Sequence, residues 1–333
     1  MKTDTVRLLE IAGRLAGHRI AVWGDFILDE YIYGTTRRIS REAPVLILSY
    51  SDREFTLGGA GNALQNLKAL GAQPVPVGAV GLDDAGRKIL AMLKKMGIAS
   101  DHMLQVPGYA TPLKTRVLAG EHNTRKQQIL RIDRESRIPA AADIKKSFSS
   151  ALRDLVRNCA GLLVSDYNYG AVDPEIFKSA SPVFRGKQRS VTLDSRFRIL
   201  DFPGGTTATP NETEVRDALQ RDIREEDPTL RKAGRDLLRR LRSPALLITR
   251  GARGMILFET GRPPYHIPAH GPSDIVDVTG AGDTVISVYT LALAAGASFR
   301  EAAQLANRAG SVVVMKKGAA VLSGEELRQA ILS

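Results

Sequence analysis

The sequence predicts an α/β protein built on a doubly wound, mainly parallel β-sheet, with helices on both faces and a small β-sheet projecting from the body. Two observations carry this prediction. Short β-type runs alternate with stretches of helical periodicity through most of the 333 residues, which is the pattern of a parallel sheet covered by crossover helices. Two segments, about 31–51 and 109–133, break the alternation. Both are rich in Thr, Tyr, Val, Ile and charged residues, contain strand-like pieces at 45–49 and 128–132, and lack a helical period. They read as strands of a lid inserted into the main body. No Pro/Gly/Ser-rich linker, internal repeat or low-complexity tract divides the chain, so one domain over 1–333 carrying this appendage is expected.

Taken in order, a first strand ends at Gly24 and Asp25. Ala60, Ala63, Leu64, Leu67 and Leu70 then recur at helical spacing, Gly71 supplies a stop, and 75–80 reads as a strand. Asp83 or Asp84 caps a helix whose apolar face is Ile89, Leu90, Leu93 and Met96, closed by Gly97. Later strands are expected at 162–165, 190–193, 206–209, 245–249 and 255–258, the last two joined as a hairpin through 250–254. From Gly282 onward the pattern is helical almost to the end, broken at Gly296 and around Gly318. The 285–297 stretch is apolar but too short to span a bilayer and is bracketed by Asp283 and Arg300, which makes it a core helix.

Composition narrows the function classes. The single cysteine, Cys159, excludes an intramolecular disulfide and suits a reducing cytoplasm, with a structural thiol expected. Residues 1–20 mix Lys2, Asp4, Arg7, Glu10 and Arg14 among apolar positions, so neither a signal peptide nor a membrane anchor is expected there. The net charge of +11 favours anionic partners. Aromatic residues make up only 5% and do not interleave with the basic clusters at Arg37, Arg38 and Arg41 or at Arg235, Arg239, Arg240 and Arg242, so a solvated basic surface is expected and not nucleic-acid binding. His18, His102, His122, His266 and His270 show no metal-ligand spacing, and neither a G-x-x-x-x-G-K-[ST] loop nor a G-x-S-x-G elbow occurs.

The segment with most chemistry in it runs from Asp277 to Thr284, D-V-T-G-A-G-D-T, directly before the apolar helix. Small residues let a backbone approach an anion, and the helix start offers unpaired N–H groups and the positive end of its dipole. A carboxylate in such a turn repels phosphate, so Asp283 calls for another reason, and proton abstraction from an incoming hydroxyl supplies one. The plainer reading is a turn shaped by Gly280 and Gly282, with Asp283 as a helix cap. Gly58-Gly59-Ala60-Gly61-Asn62 opens the first clear helix. It suits a ligand lying against the backbone with Asn62 as donor and acceptor. It also imitates a dinucleotide-binding G-x-G-x-x-G through Gly59, Gly61 and Leu64, with Asp83 about 20 residues on. Asp25 and Asp29, at and after a strand's carboxyl end, suit a polyol, since a carboxylate accepts from two hydroxyls.

Together these motifs resemble, in content and order over nearly the whole chain, the ribokinase-like (phosphofructokinase-B) kinases. That family has a three-layer α/β/α fold with a small β-sheet lid. The D-V-T-G-A-G-D segment is similar to its D-T-G-A-G-D signature, which implies that Gly280, Ala281 and Gly282 form the anion hole for the transferred phosphoryl group and that Asp283 is the catalytic base. The resemblance further implies sugar contacts at Asp25, Asp29, Gly58, Gly59 and Asn62. On the nucleotide side, Asn211-Glu212-Thr213-Glu214 resembles the family's N-x-x-E motif, so Glu214 would support Mg2+ through water. Thr249-Arg250-Gly251-Ala252-Arg253-Gly254 resembles its T-x-G-x-x-G loop, which turns beneath ATP at Gly251 and Gly254. Asn307 matches a position beside adenine, and Asp277 one that helps hold a monovalent cation.

Within the family, 24–34, Arg38-Ile39-Ser40-Arg41-Glu42-Ala43-Pro44-Val45 and Ser165-Asp166-Tyr167 are similar to the kinase half of the heptose 7-phosphate kinase/adenylyltransferase proteins. That implies a sugar-phosphate acceptor, with Lys114, Arg116 and Arg131 of the lid on its distal phosphate, and pairing of two copies through the lid. Tyr169 and Arg196 depart from that pattern, which has a lysine at the first position and Asp-Pro-Lys where Asp194-Ser195-Arg196 stands. The adenylyltransferase half and its H-x-G-H motif are not in this sequence. Two other classes remain open on the residues alone: a dinucleotide-dependent oxidoreductase, and a nucleotide-binding regulator without catalysis.

Overall fold

A computed structural model describes residues 2–120, 126–221, 227–271, 276–316 and 318–333. Residues 121–125, inside the second expected lid segment, lie outside it together with His122. In chain order the elements are α1 (Lys2–Ala12), β1 (Arg19–Gly24), β2 (Phe26–Ile39), β3 (Leu46–Gly59), α2 (Ala60–Ala69), β4 (Gln73–Gly81), α3 (Asp84–Lys95), β5 (Met103–Val106), β6 (Leu113–Gly120) and β7 (Gln127–Arg134). There follow α4 (Ala142–Leu155), β8 (Gly161–Asp166), α5 (Pro174–Gly186), β9 (Ser190–Ser195), β10 (Thr207–Ala208), α6 (Glu212–Leu219) and α7 (Asp227–Leu241). The chain continues with β11 (Ala245–Thr249), β12 (Met255–Glu259), β13 (Tyr265–Ile267), α8 (Ala281–Ala294), α9 (Phe299–Val313) and α10 (Gly324–Leu332).

The main sheet has the order β10-β9-β8-β1-β4-β5 with every pairing parallel. From β1 the chain moves outward through β4 to β5, then returns to lay β8 against the other side of β1 and continues to β10. The strand order therefore reverses between β1 and β8, and the crevice at their carboxyl ends is where ligands of open α/β sheets bind. The expected hairpin is present: β11 and β12 pair antiparallel, with β13 beyond them, and an Asn211–Thr249 bridge joins this piece to the start of α6.

One apolar layer combines α1, α2, α3, α8, α9 and α10, and the opposite one combines α4, α5 and α7, as the two buried clusters show. The 285–297 stretch is core as expected: α8 is buried along most of its length. Gly24 marks the closest approach of β1 to β8, since a Cβ there would stand 2.2 Å from the Ser165 carbonyl oxygen. Burial pushes the Cys159 thiol up to about 11, so it is an inert core thiol. No helix among the described residues is long and apolar enough to cross a membrane.

The two segments lacking helical period form a separate mixed sheet of order β3-β2-β6-β7. It is longer than expected, because β2 begins at Phe26 and β3 runs on to Gly59, so the strands grow directly out of the body at both ends. Alternation continuous with the core conceals that junction in the sequence. β7 is an exposed edge strand with Leu130 and Ile132 open to solvent.

Candidate active site

Loops leaving the carboxyl ends of β1, β8, β9 and β10 converge on the N-terminus of α8. Asp283, in the first turn of α8, is 5% exposed. Asn62 Nδ2 on α2 donates to its Oδ2 at 2.8 Å, and the Tyr167 hydroxyl, just past β8, donates to its Oδ1 at 3.3 Å. Burial pushes the Asp283 carboxyl up to about 7, against the opposing pull of these two donors; Asp29 adds to the rise and Arg196 opposes it. A carboxylate near neutrality is well matched to taking a proton from a hydroxyl. Asn66 holds the arrangement from behind: its amide donates to the Asn62 carbonyl at 3.0 Å, and its oxygen accepts from Thr284 Oγ1 at 3.1 Å and Leu322 N at 3.2 Å.

Gly280 precedes α8 with φ 76°, a left-handed conformation natural to glycine. A Cβ on it would stand 2.4 Å from Asn62 Nδ2, so this glycine also makes room for the amide that holds Asp283. The turn expected to form an anion hole has one of its three N–H groups already engaged. The Ala281 N–H is taken by the Val278 carbonyl at 3.2 Å. Among the described residues no acceptor meets the N–H of Gly282 or Asp283, and these two remain for an anion.

Three adjoining cavities pass this point. A cleft of about 120 Å³ is lined by Asp166, Tyr167, Asp194, Arg196, Thr209, Asn211, Glu214, Thr249, Gly280, Gly282 and Asp283. It shares Thr249 and Gly282 with a more apolar cavity of about 420 Å³, where Gly251, Gly254, Ala281 and Asn307 also lie. On its other side it shares Tyr167 and Arg196 with a cavity of about 310 Å³ lined by Lys114, Arg131, Glu135, Arg137, Tyr169 and Phe197 among others. The residues expected on the nucleotide side thus line the first two cavities, and Asp283 lines the cleft between the larger of these and a basic chamber.

Several expected sugar contacts have internal partners. Asp25 is buried and accepts from the backbone N–H of Tyr167 at 2.8 Å, Tyr169 at 3.1 Å and Ala171 at 3.0 Å, which makes it the fastener of the 167–171 loop. Burial and the neighbouring Asp166 raise its carboxyl to about 6. Asp29, on β2, is ion-paired to Arg116 of β6. Arg116 is therefore neutralised, and it does not line the basic chamber. The space over Gly58 is filled by Asp29, whose Oδ2 lies 2.2 Å from where a Cβ would be, and that over Gly59 by the Asp25 carbonyl at 2.6 Å. Asp83, the acidic residue that the dinucleotide reading needs, caps α3 and binds Thr111, which counts against that reading.

The basic chamber is built differently from the trio read in the sequence. Arg131 lines it but is paired with Asp133, whereas Lys114, Arg137 and Arg196 form no ion pair among the described residues. Burial and Arg131 lower the pKa of Lys114, and its ammonium stands 5.7 Å from the Tyr167 ring centroid and 5.9 Å from that of Tyr169. Tyr167 and Asp194 entered the sequence reading only inside resemblance motifs and without a role, and Arg137 not at all, because their significance lies in strand order. The available signal was their position, since Asp166-Tyr167 and Asp194-Ser195-Arg196 both sit at strand carboxyl ends.

A family model described as pfkB family carbohydrate kinase matches residues 18–325. The chain belongs to the pfkB family. Its members are phosphotransferases with an alcohol group as acceptor. Curated relatives include the bifunctional protein HldE of Desulfatibacillum aliphaticivorans, 34% identical over 98% of this chain and 66% of that protein, and HldE of Caulobacter vibrioides, 37% identical over 96% and 65%. This chain thus spans just under two thirds of those relatives. Among solved structures, Arabidopsis thaliana ribokinase complexed with ribose and ATP matches with TM-score 0.71 at 20% identity, covering 95% of this chain and 99% of that one. Phosphofructokinase-2 from Escherichia coli in complex with substrates and products matches with TM-score 0.73 at 16% identity over 95% and 99%. These likenesses establish the ribokinase-like fold.

For a pfkB kinase the remaining question at the cleft is its carboxylates. Asp194 is pushed well above the usual carboxylate range by burial, then by Glu214 and Asp283, and Glu214 is raised by burial. Glu214 also completes a capping box with Asn211, each accepting from the other's backbone N–H at 2.9 Å, so its structural duty and a role in the cleft coexist. Among the described residues no cluster of three or more His, Cys, Asp or Glu could hold a metal by itself. A hard, water-carrying cation shared with phosphate oxygens suits this donor set, since it would relieve the crowded carboxylates.

Proposed function

We propose that the chain transfers the γ-phosphoryl group of ATP, as its Mg2+ complex, to the anomeric hydroxyl of a heptose carrying a phosphate at its far end. One observation carries the reading: Asp283 lines the cleft that lies between the cavity of the T-x-G-x-x-G loop and a chamber where Lys114, Arg137 and Arg196 form no ion pair among the described residues. The second feature distinguishes a phosphorylated acceptor from a plain sugar, because Lys114, Arg137 and Arg196 supply charge that a neutral polyol would not need.

Mg2+, held through water by Glu214 with Asp194 nearby, would neutralise the phosphate oxygens. The acceptor hydroxyl loses its proton to Asp283 as its oxygen bonds to phosphorus and the bond to the leaving ADP breaks. The N–H groups of Gly282 and Asp283 hold phosphoryl oxygens at the positive end of α8. Asp277 is suited to a monovalent cation beside this turn: hydrogen bonds from Thr279 and Gly318 overcome burial and hold its carboxyl below the usual range. Exposed Leu130 and Ile132 on β7 support pairing of two copies through the small sheet. Light scattering on wild-type protein and Ile132→Lys tests that, a dimer lost in the variant being the expected result.

A coupled ADP-release assay over a panel of sugars tests the function. Heptose 7-phosphate is expected to exceed fructose, ribose and nucleosides in kcat/KM. Preference for an unphosphorylated sugar would refute the acceptor assignment, and absence of ATP turnover with every sugar would favour a regulator.

A further inference from the structure

The pfkB kinase reading leaves Tyr167 in the cleft without a task. Tyr167 enters the sequence reading only as part of a local resemblance, yet it occupies a singular place. Its hydroxyl is 3.3 Å from Asp283 Oδ1, its backbone N–H is fixed by Asp25 Oδ2 at 2.8 Å, and its ring lies between the transfer cleft and the basic chamber, lining both. On the chamber side the Lys114 ammonium faces the ring at 5.7 Å from its centroid.

We infer that Tyr167 is a positioning residue for the base: its hydroxyl orients the Asp283 carboxylate toward the acceptor, and its ring lets the acceptor's seat in the basic chamber set that orientation. Asn62 anchors Oδ2 from the α2 side at 2.8 Å, which leaves rotation about the Cβ–Cγ bond to be settled at Oδ1, where Tyr167 is the donor. The assignment fits the phenol's surroundings. Burial, then Asp283 and Asp194, raise its pKa well above the usual value, so it stays protonated and can only donate to a carboxylate. The contact at 3.3 Å is longer than the 2.8 Å bond from Asn62 and is the weaker of the two. The charged groups facing Asp283 are Asp29 from β2 and Arg196 after β9, with Asp194 at the end of β9. None of them donates to Oδ1.

This inference rests on the kinase reading for its kinetic consequence but not for its physical content, and the test separates the two. Tyr167→Phe keeps the ring, the cavity wall and the Lys114 contact and removes one hydroxyl. With the phosphorylated acceptor, kcat is expected to fall roughly tenfold, the scale of one hydrogen bond to a charged group, while KM for ATP stays within about twofold because the larger nucleotide-side cavity does not include Tyr167 and the ring in the cleft wall is kept. The acid limb of the pH profile should move upward by about half to one unit, since a donor that favours the carboxylate is gone. Carboxyl-carbon NMR of ligand-free protein, with Asp283→Asn identifying the resonance, should show the same upward displacement. Tyr169→Phe, whose hydroxyl bonds Glu135 instead, should leave the Asp283 titration in place. An unmoved Asp283 titration in Tyr167→Phe overturns the inference. A displaced titration in a protein that phosphorylates no sugar upholds the contact and overturns the kinase reading.

Discussion

Replacing Asp283 by Asn should abolish turnover while making the ligand-free protein more stable at alkaline pH, and the size of the second effect follows from the site. Burial pushes this carboxyl up to about 7 from an ordinary value of 3.8. The difference, 7 − 3.8 or about three units, is worth at most ~4 kcal/mol at ~1.4 kcal/mol per unit. The sign is that of a raised acid: between about pH 4 and 7 the folded chain binds more protons than the unfolded one, so stability falls as pH rises through this window, and the whole cost is felt above about pH 7. Asn is isosteric, can accept from Asn62 in its carbonyl orientation, and is neutral throughout, so it escapes that cost. Thermal unfolding at pH 5 and pH 8 is the assay. The variant's advantage should be small at pH 5 and grow by several degrees at pH 8, while the loss in kcat is about two to four orders of magnitude, as for removal of a general base. An advantage independent of pH would refute the buried, raised carboxylate, and near-normal turnover would refute its role as base.

Other substitutions probe the flanking cavities and the frame. Lys114→Met and Arg196→Met should each raise KM for a phosphorylated acceptor about 10- to 100-fold, the scale of a charge-assisted hydrogen bond, and barely alter KM for an unphosphorylated analogue, as initial-rate kinetics would show. Glu214→Gln preserves an acceptor for the Asn211 N–H yet removes a charge from the cleft, so the Mg2+ concentration for half-maximal rate should rise several-fold in a metal titration while thermal stability stays close to wild type. Gly24→Ala places a methyl 2.2 Å from the Ser165 carbonyl oxygen where β1 meets β8. It should cost about 2 kcal/mol or more through overpacking, visible as a lower urea midpoint, and reduce activity because the same junction carries Asp25 and Tyr167.

Local signals proved sufficient for the elements and for locating single turns. Helical spacing from Ala60 to Leu70, the Asp83 cap, the glycine stop at Gly97 and the hairpin through 250–254 all depend on neighbours a few residues away, and the structure has them. The glycine turn before α8 is likewise a local object, so Asp283 could be singled out as a candidate without coordinates. The small sheet was recognisable by its missing helical period, although its full length was not, because its strands continue without a break into buried residues at Phe26 and Gly59.

What the amino-acid order could not say by itself is who meets whom. Asp25 and Asp29 carry the chemistry of sugar ligands, but the fold supplies three backbone N–H donors to the first and Arg116 to the second. Tyr167 and Asp283 are 116 positions apart in the chain, and Lys114, Arg137 and Arg196 come from unrelated elements. Their convergence follows from the strand order, which sets the carboxyl ends of β1, β8 and β9 side by side. Residue chemistry and short-range periodicity are carried by the chain itself; the pairing of charges and donors across distant segments is settled only when packing of the sheet decides which loops share one edge.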